Sequence, residues 1–259
     1  MREFEGRTAL VAGGTSGIGR AVSEAFAKAG ARVVIAARNP SRGVETVGAI
    51  ERAGGEAWFV QTDVASVADT ARMVERTLHF THRLDVAVNA AAMTDPVLAR
   101  LTEVPEEDFD DTLAATLKGV WACLRAELPV MVEQGHGAIV NIASLHGLAG
   151  APLAAHYGAA KQGVIGLGRG AALEYAGDGV RINTVCPGPT NTSTIDRVFD
   201  AVNPNDPDQA RRDCIARIPR GKIADPAEIA DTVLWLCSDR ARNLTGTVVT
   251  SDGGLSAGL

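Results

Sequence analysis

The chain has 259 residues, 46% of them apolar and 22% charged, with a formal net charge of −6. That balance is globular and excludes wholesale disorder, and its acidic sign argues against a nucleic-acid partner, which asks for a basic footprint. No apolar run approaches the ~18 residues of a membrane helix, and the N-terminus carries no secretory pattern. The four cysteines, Cys123, Cys186, Cys214 and Cys237, form neither a CxxC pair nor a zinc spacing, so a reducing, cytoplasmic setting and no metal are expected.

Short runs rich in Val, Ile and Leu lie at 8–12, 32–37, 57–61, 84–89, 138–143, 180–186 and 247–251. They lack polar alternation, as strands buried on both faces do. Helical patterns fill the gaps at 17–29, 40–53, 66–80, 106–134, 154–177 and 225–238. Asn39 before Pro40 and Asp225 before Pro226 place a capping residue ahead of a first-turn proline. This alternation predicts an α/β chain: a single Rossmann-type, doubly wound domain over 1–259, with a seven-stranded parallel sheet and helices on both faces. Ligands of such sheets bind beyond the carboxyl ends of the strands. Residues 187–224 break the rhythm with five prolines and scattered apolar side chains, and are expected to form a partly helical lid over a substrate. The basic residues within it, Arg211, Arg212, Arg217, Arg220 and Lys222, read as a solvated, partly paired face.

The first strand runs into Gly13-Gly14-Thr15-Ser16-Gly17-Ile18-Gly19 at the start of a helix. Such a turn brings backbone N–H groups and the positive end of a helix dipole to a diphosphate. The second strand ends in Ala37-Arg38, without the acidic residue that would bind an adenosine ribose, so Arg38 is expected to pair with a 2′-phosphate and NADP(H) is favoured over NAD(H). Asp63-Val64 after the third strand are expected to face an adenine edge. The small residues of Asn89-Ala90-Ala91-Ala92 after the fourth let the backbone pass close to a cofactor.

Ser144 follows the fifth strand, and Tyr157 and Lys161 share a helix face at i, i+4. A lysine cation about 4 Å from the phenol contributes roughly 4 kcal/mol at an effective dielectric of 20. After discounting for solvent, that would lower the tyrosine pKa by roughly 1–3 and bring it toward the range of proton transfer. Ser144 would hold the substrate oxygen.

With these motifs the chain resembles the short-chain dehydrogenase/reductase family, from about Thr8 to Gly254. The resemblance rests on Gly13-x-x-x-Gly17-Ile18-Gly19, Asp63-Val64, Asn89-Ala90-Ala91-Ala92, Ser144, Tyr157-x-x-x-Lys161 and Cys186-Pro187-Gly188. It implies that Tyr157 transfers the proton and that Lys161 binds the nicotinamide ribose and lowers the tyrosine pKa. It further implies that Pro187, Gly188, Thr190 and Thr192 hold the carboxamide. Three positions depart from the family: Ala12 and Ala92 replace threonine and glycine, and Thr116 replaces an asparagine whose carbonyl holds a relay water. Threonine can bond back to the preceding turn and bend a helix, so Thr116 is expected to keep the relay.

His146, Met93, Thr94, Leu145, Leu153 and Ile195 are candidates for a mostly apolar substrate pocket, while His156 is expected to point away. The chain is thus expected to be an NADP(H)-dependent enzyme of secondary alcohols and ketones, with an NAD(H)-linked dehydrogenase or a non-catalytic nucleotide-binding scaffold as alternatives. A homotetramer is expected, partly because Gly158, Gly163, Gly166, Gly168 and Gly170 favour close helix approach.

Overall fold

A computed structural model describes residues 2–93, 97–150 and 152–258. The strands are β1 (Thr8–Ala12), β2 (Arg32–Ala37), β3 (Glu56–Gln61), β4 (Val86–Asn89), β5 (Gly137–Ile142), β6 (Val180–Pro187) and β7 (Val248–Ser251). They form one parallel sheet in the order β3-β2-β1-β4-β5-β6-β7. The order reverses between β1 and β4, which opens a crevice at their carboxyl ends.

Alternate strand residues feed two cores, one on each face. Leu10, Val34, Ala87 and Ile139 pack with Met73 of α3 (Val67–Thr81), Met131 of α5 (Gly119–Gln134) and Val164 of α6 (Ala155–Tyr175). Val11, Ile35, Val88 and Val140 pack with Phe26 of α1 (Gly17–Lys28), Ile50 of α2 (Pro40–Arg52) and Val233 of α9 (Pro226–Cys237). The uniformly apolar strands follow from this double burial. The predicted caps form: Asn39 accepts the N–H of Arg42 at 3.1 Å, and Asp225 and Glu228 make a capping box.

The expected single helix over 106–134 is in fact three pieces. A π turn, Ala114–Lys118, separates α4 (Glu106–Leu113) from α5. Thr116 is fully buried within it, and its hydroxyl accepts the N–H of Met93 at 3.4 Å instead of bonding back to the preceding turn. The interruption of the α-helical ladder therefore comes from the extra residue in the turn.

Residues 187–224 contain α7 (Ser193–Val202) and α8 (Pro207–Arg217), joined by a small core of Phe199, Ala210, Ile218 and Ile223. Arg211 pairs with Asp196, Arg212 with Asp206, and Arg220 and Lys222 with Glu228, so most of the basic cluster is neutralised locally. No helix of the described residues is long and apolar enough to cross a membrane.

Candidate active site

The residues singled out in the sequence converge on the carboxyl rim of the sheet. The rim is level: Ala12 pairs with Asn89, Asn89 with Asn141, and Asn141 with Thr184 across four strands.

On one side stands the glycine loop. Gly13 has φ +81°, and a Cβ there would come within 2.6 Å of the Ala91 nitrogen. The small Ala90–Ala92 segment thus lies directly against the loop, tied to β1 by Ala90 N–H donating to the Ala12 carbonyl at 2.9 Å. A side chain at Gly19 would collide with the Gly13 carbonyl. Ser16 caps α1 in extended conformation without a side-chain capping bond, and Thr15 is buried beside it. A Cβ on Gly17 would lie 3.0 Å from the Thr192 methyl, so the loop and the start of α7 face each other. Ile18 packs into the core below.

On the other side β6 ends at Pro187. Gly188 N–H donates to the Ser251 carbonyl at 3.0 Å, and the Thr190 hydroxyl donates to the Gly188 carbonyl at 3.0 Å. Thr192 accepts the N–H of Ile195 and starts α7. Glycine turn, helix N-terminus and facing threonines make a crevice whose donors fit the diphosphate and amide of a nicotinamide dinucleotide.

Arg38 is exposed at the end of β2 and lines a cavity of about 480 Å³ with Gln61, Asp63, Arg72 and Arg76. Arg72 is paired with Asp69 at 2.8 Å, whereas Arg38 has no carboxylate partner among the described residues. The Asp63 carboxylate is exposed and accepts the N–H of Ala65 at 3.0 Å; its own N–H donates to Asp69. The Asp63 side chain is therefore free on one oxygen to meet the expected adenine edge, whereas its backbone N–H is already used. Val64 is buried against Gly119.

Ser144, Tyr157 and Lys161 come together between these walls. The Ser144 hydroxyl accepts the N–H of His146 at 3.1 Å and lies close enough to the Tyr157 phenol to act on its ionisation. Lys161, 2% exposed, donates from Nζ to the Ile142 carbonyl at 2.8 Å, and Nζ lies 5.7 Å from the Tyr157 ring centroid. The expected lowering of the tyrosine pKa is not what this environment does. Removal from water pushes the phenol up to about 12, with the Ser144 hydroxyl opposing it, and pulls the lysine down to about 8. The desolvation of both groups outweighs the attraction assumed from their spacing.

His146 stands at the site, its ring edge-to-face with Tyr157 at 6.1 Å between centroids. Leu145 is turned into the protein and Leu153 is exposed, while Ile195 packs under the α7–α8 core. Met93 is half-buried beside Thr116, and Thr94 lies outside the described residues. His156 is buried, with Nδ1 unpartnered among the described residues.

One polar residue behind the rim escaped the sequence reading. Glu127 of α5 is fully buried; one oxygen accepts from Asn89 Nδ2 at 3.2 Å and the other has no partner among the described residues. Burial pushes its carboxyl up to about 7. The available signal was a lone acid within an otherwise apolar helix turn, Ala126-Glu127-Leu128.

A family model described as enoyl-(acyl carrier protein) reductase matches residues 12–256. The chain is 36% identical to a 2,5-dichloro-2,5-cyclohexadiene-1,4-diol dehydrogenase of Sphingobium indicum, with 99% of this chain and 100% of that one covered. Among solved structures, levodione reductase superposes with a TM-score of 0.96 at 32% identity, covering 99% and 100% of the two chains. A protein of Beutenbergia cavernae described as an NAD(P)-dependent gluconate 5-dehydrogenase, with NADP bound at low occupancy, gives a TM-score of 0.89 at 35% identity and covers 98% of each. With sequence similarity along its whole length and the same sheet and helices, this chain is an oxidoreductase of the short-chain dehydrogenase/reductase family.

Proposed function

We propose that the chain is an NADP(H)-dependent enzyme that interconverts a secondary alcohol and a ketone, with Tyr157 as the general acid and base. The observation that carries this is the convergence of Ser144, Tyr157 and the buried Lys161 on the rim of a crevice whose opposite wall is the glycine loop. A bound nicotinamide supplies or accepts the hydride. Ser144 holds the substrate oxygen; Tyr157 gives that oxygen a proton in reduction and takes one in oxidation. Burial holds the phenol protonated, so it can give its proton to a ketone oxygen. Lys161, near 8, still carries its charge at pH 7 and is fixed by the Ile142 carbonyl where it can meet a ribose hydroxyl. The π turn at Thr116 disturbs the helical ladder where a relay water would be held.

The unpaired Arg38 supports NADP(H) over NAD(H), as does the NADP in a structural neighbour. Asp63, Val64, Asn89 and Ala90 line the adenine and ribose side; Pro187, Gly188, Thr190 and Thr192 line the carboxamide side. The whole chain acts as one catalytic domain, with 187–224 as its lid. The compounds named for the relatives, a ring diol and a dione, favour a ring-bearing small molecule. Four free cysteines agree with a cytoplasmic setting.

Self-association to a homotetramer is supported by an apolar groove lined by Leu113, Leu117, Trp121, Gly163 and Leu167. The glycines of α6 divide here: Gly158, Gly163 and Gly168 face other residues of the chain, while Gly166 and Gly170 are open to a neighbour. Light scattering showing only monomer at micromolar concentration would defeat this.

Tyr157→Phe tests the mechanism. It is expected to keep the fold and cofactor binding and to lose about 10²–10⁴ in kcat with NADPH and a ketone; near-full activity would sink the assignment.

A further inference from the structure

The short 3₁₀ turn Leu145–Gly147, directly after Ser144, sends one side chain outward. Leu145 is buried, and a Cβ on Gly147 would meet the Ile165 side chain at 2.9 Å and the Lys161 carbonyl at 3.0 Å. The turn is therefore pressed onto α6 on both sides of His146, whose N–H is tied to the Ser144 hydroxyl at 3.1 Å. The imidazole is exposed to the cleft and stands at 90° to the Tyr157 ring. Among the described residues its ring nitrogens have no hydrogen-bond partner.

Two exposed leucines follow in sequence. Leu148 and Leu153 are 43% and 47% exposed in the segment that leads from this turn to α6. Leu153 has φ +64°, a strained value for a leucine, and its carbonyl accepts the N–H of Ala99 at 3.0 Å. Strain of this kind persists where the surroundings over-determine the backbone, commonly at ligand sites. An exposed imidazole with no partner among the described residues keeps one donor and one acceptor free for a polar ligand.

We propose that His146 is a specificity-determining residue that hydrogen-bonds a second oxygen of the substrate, on the carbon next to the reacting one or one further. The preferred substrates are then compact ketones with a neighbouring hydroxyl or carbonyl, their carbon skeleton against Leu148 and Leu153. The inference rests on the reading that Ser144 and Tyr157 hold the reacting oxygen. His146 is bonded through its backbone to the first and touches the ring of the second, so only an oxygen close to the reacting carbon can reach it. Partial desolvation lowers the imidazole pKa.

The test compares 2-hydroxycyclohexanone with cyclohexanone as substrates, with NADPH, for wild type, His146→Phe, His146→Gln and Tyr157→Phe. Wild type is expected to favour the hydroxyketone by tenfold or more in kcat/KM. His146→Phe keeps the aromatic edge but removes both nitrogens; it should lose about 10–100-fold on the hydroxyketone, chiefly in KM, and less than threefold on cyclohexanone. His146→Gln should recover part of the loss. In the cofactor-free protein, the His146 imidazole resonance, assigned by its absence in His146→Phe, should move with hydroxyketone and not with cyclohexanone. Equal losses on both ketones, or no preference in wild type, overturn the role of His146 while leaving the reaction standing. Absence of turnover with either ketone, or full activity in Tyr157→Phe, overturns the reaction and this inference with it.

Discussion

Glu127→Gln offers a quantitative test of the polar cluster behind the site. Glu127, Asn89 and Asn141 are all buried, and Asn89 Nδ2 donates to both neighbours, at 3.2 and 3.0 Å. Among the described residues, Glu127 Oε1, Asn89 Oδ1 and Asn141 Nδ2 lack partners. The carboxyl rises from 4.5 to about 7 on folding because burial disfavours its charge more than the Asn89 hydrogen bond restores it. Between those two values the native state binds more protons than the unfolded one, so stability falls as pH rises. Below pH 4.5 the penalty is absent; above 7 it is complete, at about 3 kcal/mol from 1.36 kcal/mol per pKa unit. Glutamine keeps a donor in nearly the same volume and does not titrate. The variant should match wild type within about 1 kcal/mol at pH 5 and gain on it by about 3 kcal/mol toward pH 8. Urea unfolding at equal protein concentration, which holds any assembly constant, measures this difference at each pH. A difference that stays constant from pH 5 to 8 would refute the argument.

Three further outcomes are expected. Arg38→Ala with Ala37→Asp should move cofactor preference toward NAD(H) by about 10² or more, since a charge-assisted contact is worth roughly 1.5–3 kcal/mol; steady-state kinetics with both cofactors reads it, and a wild type that already prefers NAD(H) contradicts the reading. Asp85, buried at the opposite end of the sheet, accepts from Thr8 N at 2.8 Å, from two Arg83 nitrogens and from His136. These partners hold its carboxyl below the usual range against desolvation, so its contribution is present above about pH 4 and lost as pH falls through the lowered value. Asp85→Asn should cost at least about 2 kcal/mol at pH 7 and leave kcat unchanged, and a smaller loss at neutral pH than at acid pH would contradict this. Hydrogen exchange across 187–224 should slow when cofactor and substrate bind; protection already complete without them would remove the lid.

Seven strands and most helices were legible because a doubly buried parallel strand must be uniformly apolar and its helices must carry period and caps; β2 begins and ends where the pattern placed it. The rim residues were legible for a related reason: ligands bind where strands end, and Ser144 and Asp63 each follow an apolar run while Asn89 closes one. What lay beyond one-dimensional pattern was the meeting of separate elements. The break at Thr116 depends on an extra residue accommodated in a buried turn, which propensity does not encode. The rise of Tyr157 and fall of Lys161 come from how much water the assembled cleft excludes, whereas their spacing along α6 speaks only of proximity. Glu127 looks in sequence like one solvated charge on a long helix; only the packing of α5 against β4 and β5 makes it a buried acid. His146 is a loop histidine until Leu145 and Gly147 press its turn onto α6 and leave the imidazole facing the cleft. Local sequence set the elements and the order of their ends, and the tertiary packing set the dielectric around each group, because desolvation is a property of all the neighbours at once.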